Sequence, residues 1–324
     1  MRALVFVLAV VFALPPFAAE DKKSVLVIES YHKEYGWDAS YLQGIQDVLG
    51  RDYAIHRFEM DTKRIQKERW QDQADEAWKL YETLNPAAVI IGDDDALRLL
   101  SKKFEATHTP VVFLGINQDP SRYITLGKNI TGILERPLIK RSIAAIREIV
   151  PECSRILVLF DTSSAARAIL EEEFGGNDTM LLQGIWVDLQ LLGKRAEWEK
   201  IIGETKGHYD AIVLGLYHNV RDENDASVYA DTLLAWVSRH TPVPLFGFWD
   251  FSVGAGKTAG GLVLYGKAQG IAAARIVRAV LDGADITAIK PKVGEQGRYL
   301  FNKKELERFG LSVPPHIDRG AEYN

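Results

Sequence analysis

Short apolar runs recur along the chain at 25–28, 53–58, 87–91, 111–114, 156–160, 181–187, 211–216, 245–248 and 262–265. Between them lie segments at 39–49, 65–84, 94–104, 138–149, 165–174, 195–205, 227–239 and 268–281, in which apolar residues return every three to four positions. An unbroken, β-branched run such as Val25-Leu26-Val27-Ile28 suits a strand covered on both faces. The longer spacing marks the buried stripe of a helix. Strands that alternate with helices over this length predict parallel βαβ units with right-handed crossovers, an α/β fold.

The alternation is interrupted at 129–137, where a turn-rich stretch leads through one extended run to Pro137 and a new helix. Four βα units precede the interruption, and the count begins again at 155–160, so two Rossmann-like lobes are predicted. After Tyr265 a helix and a second extended stretch, 291–300, carry the chain back between them. We therefore expect an N-terminal lobe of 20–133 plus 266–290 and a C-terminal lobe of 134–265 plus 291–324, joined by a multi-strand hinge beneath a cleft. Open α/β sheets bind ligands outside the carboxyl ends of their strands. The first such loop is dense in polar and aromatic groups: Ser30, Tyr31, His32, Tyr35 and Trp37.

Composition changes this picture little. A chain of 324 residues, 47% hydrophobic and 26% charged, is ordinary for a soluble globular protein and long enough for two cores. A net charge of −5, from 39 basic and 44 acidic residues without a basic run, gives no reason to expect nucleic acid as a partner. The first residues differ from the rest: Arg2, an apolar stretch over 3–14, Pro15-Pro16 and then Phe17-Ala18-Ala19. That pattern reads as a signal peptide of residues 1–19, cleaved after Ala19. Its apolar part is shorter than the roughly 20 residues an anchor needs, so the exported chain is not expected to span a membrane. Cys153 is the single cysteine, which leaves no disulfide to form within the chain.

Two stretches carry a family resemblance. Pro110-Val111-Val112-Phe113-Leu114-Gly115-Ile116-Asn117-Gln118-Asp119-Pro120, followed by Gly127-Lys128-Asn129-Ile130-Thr131-Gly132-Ile133, resembles the periplasmic substrate-binding proteins of ABC transporters, in the branch with tryptophan- and tyrosine-binding members. The segment 301–311, in which Asn302 opens a short helix that ends in Gly310-Leu311, is similar to the C-terminal segment of that family. The opening loop, Ser30-Tyr31-His32 and then Tyr35-Gly36-Trp37, is more similar to related periplasmic sensor domains that precede histidine kinases and diguanylate cyclases. The resemblance implies the type I periplasmic binding protein fold, a periplasmic location, and strand-end loops of both lobes that clamp a small molecule.

On that implication, candidate ligand-binding residues of the first lobe are Ser30, Tyr31, His32 and Trp37, with aromatic rings to stack on a ligand and a hydroxyl to hydrogen-bond it. Trp37 can equally pack the first helix against the sheet. Asp93-Asp94-Asp95 follows the run 87–91; one aspartate suits a helix N-cap, while Asp93 and Asp94 are candidates for an amino group or sugar hydroxyls. Their spacing is not that of a calcium loop. Asn117 ends the next run. From the second lobe come Asp161 and Ser163, Tyr217 and His218, and Trp249 and Asp250, each directly after an apolar run; Ser163 can instead cap a helix.

Other motifs are excluded. Gly254-Ala255-Gly256-Lys257-Thr258 resembles a phosphate loop but has Phe251 where the pattern needs glycine, and a strand follows it. No nucleophile elbow or zinc-binding helix motif is present, and His218 near Asp222 lacks a nucleophile. The sequence thus predicts a receptor that is not an enzyme and needs no cofactor or metal. It would close over a small organic ligand, an amino acid or another small polar or aromatic molecule, for delivery to an ABC transporter permease. The alternatives are a receptor that docks on a membrane sensor protein, a histidine kinase or diguanylate cyclase, and an exported enzyme.

Overall fold

A computed structural model describes residues 22–32, 34–294 and 297–324. The signal peptide expected over 1–19 lies outside the described residues. The chain begins with β1 (Ser24–Glu29), α1 (Gly36–Leu49), β2 (Ala54–Glu59), α2 (Trp70–Leu84), β3 (Ala88–Gly92), α3 (Asp94–Phe104), β4 (Val111–Ile116) and β5 (Ile130–Leu134). It continues through α4 (Ile139–Ile149), β6 (Arg155–Phe160), α5 (Ser164–Phe174), β7 (Thr179–Leu182), β8 (Ile185–Leu191), α6 (Arg195–Glu204), β9 (Ala211–Leu214), α7 (Ala230–His240), β10 (Leu245–Gly247) and β11 (Gly260–Leu264). Then come α8 (Gly266–Leu281), β12 (Lys292–Val293), β13 (Gly297–Phe301), α9 (Lys303–Arg308), α10 (Pro315–Asp318) and β14 (Ala321–Tyr323).

The first six-stranded sheet is wholly parallel, in the order β12-β5-β4-β3-β1-β2. Its central strands are apolar and fully buried, as expected of strands covered on both faces. The second sheet, β10-β9-β6-β8-β7, is parallel except for β7. The type I fold expected from the sequence is therefore present, with two βα lobes and strand-end loops that meet between them.

Three local expectations change. The run at 181–187 is not one strand but the hairpin β7–β8, turned by Gln183 (φ 54°) and Gly184 (φ 81°). Positive φ at both turn residues matches the twist of a tight hairpin. The stretch 291–300 is likewise divided. Lys292–Val293 pairs with β5 in the first sheet, and Gly297–Phe301 pairs antiparallel with β11 in a small third sheet, β11-β13-β14. Residues 292–293 thus sit with the first lobe rather than with the second, where the sequence reading had put them, because their backbone groups complete the edge of β5. The run at 262–265 also leaves the parallel sheet, since β11 belongs to the third.

Helix α8 returns from the second lobe to pack on α1, and glycines set the distance. A Cβ on Gly270 would lie 1.9 Å from the Tyr41 carbonyl oxygen, and one on Gly44 would lie 2.3 Å from that of Lys267. The two backbones touch with no room for a side chain. This contact fixes α1, and with it the aromatic loop between β1 and α1, against the first sheet.

Gly270→Ala should accordingly lower unfolding stability by about 1–3 kcal/mol through overpacking. Gly203→Ala, in α6 where an added Cβ meets nothing within 4 Å, should leave it unchanged or raise it by about 0.5–1 kcal/mol. Urea unfolding of the two variants beside the parent checks both.

Candidate ligand-binding cleft

The end of β1 delivers the first functional loop. Ser30 is fully buried; its hydroxyl donates to the Gly92 carbonyl (2.8 Å) and accepts from the Ala96 amide (2.9 Å), which fastens β1 to β3 and to the first turn of α3. Tyr31 and Tyr35 stand beyond it, stacked with centroids 4.0 Å apart. The Lys63 ammonium sits 4.7 Å above the Tyr31 ring.

Across from them, the loop after β9 places Tyr217 and His218 in a stack (4.5 Å), and Phe251 follows β10. Tyr35 meets His218 edge-on at 4.6 Å and Phe251 at 5.5 Å, so rings of one lobe pack directly on rings of the other. Together they line a cleft of about 500 Å³, with His32 and Arg64 on the first lobe and residues 227–231 and Lys257 on the second. A groove of about 330 Å³ beside α8 and β12 is lined by Gln269, Arg275 and Lys292 without any residue of the second lobe's β6–β10 sheet. Only the former of these two spaces is lined by residues of both lobes' parallel sheets and their strand-end loops.

Removal from water lowers the His218 imidazole far below its ordinary range, and His32 is lowered for the same reason. The His218 ring is neutral at pH 7. His32 Nδ1 lies 3.5 Å from an Asp61 carboxylate oxygen.

Behind Tyr31 and Tyr35 lies a second, much smaller space of about 10 Å³, at most room for one water-sized group. Trp37, Asp38 and Tyr41 reach it from α1, Asp93 from the end of β3, Asn117 from the end of β4, and Glu135 from the end of β5. Ala165 and Leu216 of the second lobe close it. Asp93 holds φ at 72°, a conformation costly for a side-chain-bearing residue, and its carboxylate accepts from the Asp95 amide at the start of α3. Burial pushes Asp38 well above the carboxylate range, with the Glu29 charge adding to it. Burial likewise pushes Glu135 up to about 8, although the Trp249 indole donates to it at 2.7 Å.

Of the sequence-predicted residues, Tyr31, His32, Tyr217 and His218 meet in the cleft, and Trp37, Asp93 and Asn117 line the inner space together with Tyr31. The others are placed elsewhere. Ser30 is the latch described above. Asp94 accepts from the amides of Asn117 (2.9 Å) and Gln118 (3.1 Å), and Asp161 accepts from those of Ser163 and Asn219, both at 2.9 Å. Ser163 caps α5 through the Ala166 amide. Trp249 is buried on Glu135, and Asp250 pairs with Arg298 at 3.0 Å on another face. Strand-end carboxylates and hydroxyls are thus largely spent on backbone amides that the turns leave open.

Tyr35, Asp38, Lys63, Glu135 and Phe251 were not among the predicted site residues. Glu135 directly follows a strand, so the strand-end rule could have found it. Asp38 reads in sequence as an ordinary acidic residue in a first helical turn. Phe251 follows the apolar run 245–248 together with Trp249 and Asp250, the same signal that marked those two; Lys63 carries no local signal.

A family model described as ABC transporter substrate binding protein matches residues 38–322. No curated protein matches the chain significantly. Among solved structures, a Streptococcus pneumonia ABC domain in complex with L-Trp is 19% identical, with 93% of this chain and 99% of that one covered and a TM-score of 0.69. A ligand-free, open substrate-binding protein with adhesive properties from Clostridium difficile is 12% identical over 93% and 99% of the two chains, at a TM-score of 0.66. An ABC transporter solute-binding protein from Bacillus halodurans with bound myo-inositol is 11% identical over 93% and 98%, at 0.53. These likenesses concern the fold.

Two outcomes follow from the site's construction. Ser30→Ala removes a buried donor and acceptor at once and should cost about 1–3 kcal/mol in urea unfolding. Glu135, raised from 4.5 to about 8, stays protonated in the folded chain while the unfolded chain ionises, so its contribution is full below pH 4.5 and is lost as pH rises toward about 8. Glu135→Gln should flatten the decline of unfolding stability across that window, by up to about 1.4 kcal/mol per pH unit.

Proposed function

The chain belongs to the ABC transporter substrate-binding proteins, and from that premise we propose that it is an exported periplasmic receptor whose lobes close over a small organic ligand for delivery to an ABC permease. The observation that carries this reading is the cleft walled by Tyr31 and Tyr35 on one lobe and by Tyr217, His218 and Phe251 on the other. An aromatic wall divided between two bodies is complete only when they are together. A ligand that touches both halves therefore binds the closed form better than the open one, which is the condition for driving closure.

The ligand class is an amino acid or another small polar or aromatic molecule. Flat rings on both walls favour an aromatic or apolar body, and His32, Tyr229 and Lys257 at the rim supply polar partners. L-Trp and myo-inositol in two similar structures mark the range of solutes to try first. The lobes are taken as 22–133 with 266–294 and 134–265 with 297–324, and the leader at 1–19 as the export signal. No helix among the described residues is long and apolar enough to cross a membrane.

Thermal unfolding of the refolded mature chain against amino acids, amines, sugars and nucleosides tests the reading. A true ligand at 100 times its dissociation constant adds about 2.7 kcal/mol and raises Tm. Phe251→Ala and His218→Ala should each weaken that ligand at least tenfold, about 1.4 kcal/mol. A panel that leaves Tm unmoved would remove the small-solute reading.

A further inference from the structure

The groove of about 330 Å³ beside α8 has a construction of its own. Stretches that connect the first sheet with the rest of the chain meet in it: Ile133 at the end of β5, Leu264-Tyr265 between β11 and α8, and Val293-Gly294 at the end of β12. Its remaining wall is one face of α8, where Ala268, Ile271, Ala272 and Arg275 recur at helical spacing. Gly266 and Gly270, on the opposite face of that helix, meet the backbone of α1. The groove face is thus the one that α8 does not spend on packing against α1, and its two alanines leave room beside it.

Charge in the groove is of one sign. Among the described residues, no carboxylate lines it, and no ion pair reaches Arg275 or Lys292. The other cations of α8 are spent: Lys267 pairs with Asp47 at 2.7 Å and Arg278 with Asp52 at 2.9 Å. A guanidinium and an ammonium without a counter-ion, beside an apolar wall, select an anion. Gln269 adds a second vacancy. Its Nε2 donates to the Leu134 carbonyl at 3.4 Å, an oxygen that also accepts from the Gly294 amide at 2.9 Å. Its Oε1 is buried and has no partner, an acceptor that lacks a donor. Gly294 makes room for this side chain, since a Cβ there would stand 2.4 Å from Nε2.

We infer that this groove is a second ligand site, for a small organic acid that carries a hydroxyl beside its carboxylate. The carboxylate meets Arg275 and Lys292, the hydroxyl donates to Gln269, and the apolar body lies on Ile133, Leu264, Ile271 and Ala272. An ionised carboxylate only accepts hydrogen bonds, so the hydroxyl is what satisfies Gln269 Oε1. About 330 Å³ is the size of a small-molecule pocket. No residue lines both this groove and the aromatic cleft. The assignment therefore holds whatever the cleft binds.

Titration calorimetry of the refolded mature chain with matched probes tests it. 3-Phenyllactate has the body, the carboxylate and the hydroxyl; 3-phenylpropionate lacks the hydroxyl; 3-phenylpropane-1,2-diol lacks the carboxylate. Phenyllactate should bind at least about tenfold tighter than the diol, and more tightly than phenylpropionate. Arg275→Gln combined with Lys292→Gln, a change at exposed positions, should cancel the preference over the diol. Gln269→Leu should cancel the preference over phenylpropionate. Phe251→Ala, in the aromatic cleft, should alter neither. The inference falls if phenyllactate has no advantage over either analogue, or if its advantage over the diol survives loss of both cations. It falls equally if Phe251→Ala removes the binding, which would put the acid in the cleft.

Discussion

The burial of carboxylates where the two lobes meet is the constraint on which the rest of this structure depends. Asp93 and Asp94 follow β3 and Glu135 follows β5, two parallel strands that flank β4, and Asp38 comes from the first turn of α1, so the sheet itself gathers them. Charges removed from water are expensive unless paired. The chain offsets part of that cost with Lys63, with backbone amides on Asp94, and with the Trp249 indole on Glu135. What is left over is concentrated at Asp38, Asn117 and Glu135.

The hydrogen bond from Trp249 to Glu135 ties this cluster to the hinge. Glu135 follows the last strand before the chain leaves the first lobe, and Trp249 follows β10 in the second. This bond and the ring contacts of Tyr35 with His218 and Phe251 join the two lobes across the cleft. The glycine-mediated contact of α1 with α8 holds the other side of the arrangement rigid.

Much of the fold was legible in residues alone. Runs such as Val25–Ile28 and Val111–Leu114 are apolar because both sheet faces are covered, and helices such as α3 announce themselves by an aspartate cap and a repeating apolar stripe. The division at 129–137 and the two-lobe count rest on the same periodicity. The failures were at sheet edges. The hairpin of β7 and β8 depends on positive φ at Gln183, and the attachment of β12 depends on an unpaired edge of β5; neither has a period to read.

For the site, the sequence determined which loops bear chemistry, because strand ends in such a sheet always point to one side. It did not determine which side chains in those loops are free. Ser30, Asp94, Asp161 and Ser163 are bound to backbone amides, while Trp249 and Asp250 turn to Glu135 and Arg298, partners 114 and 48 residues away. Lys63 enters the cleft only because a distant segment is packed beside it. Local residue type and period fix elements and their loops; long-range packing alone decides which polar atoms are satisfied and which remain for a ligand.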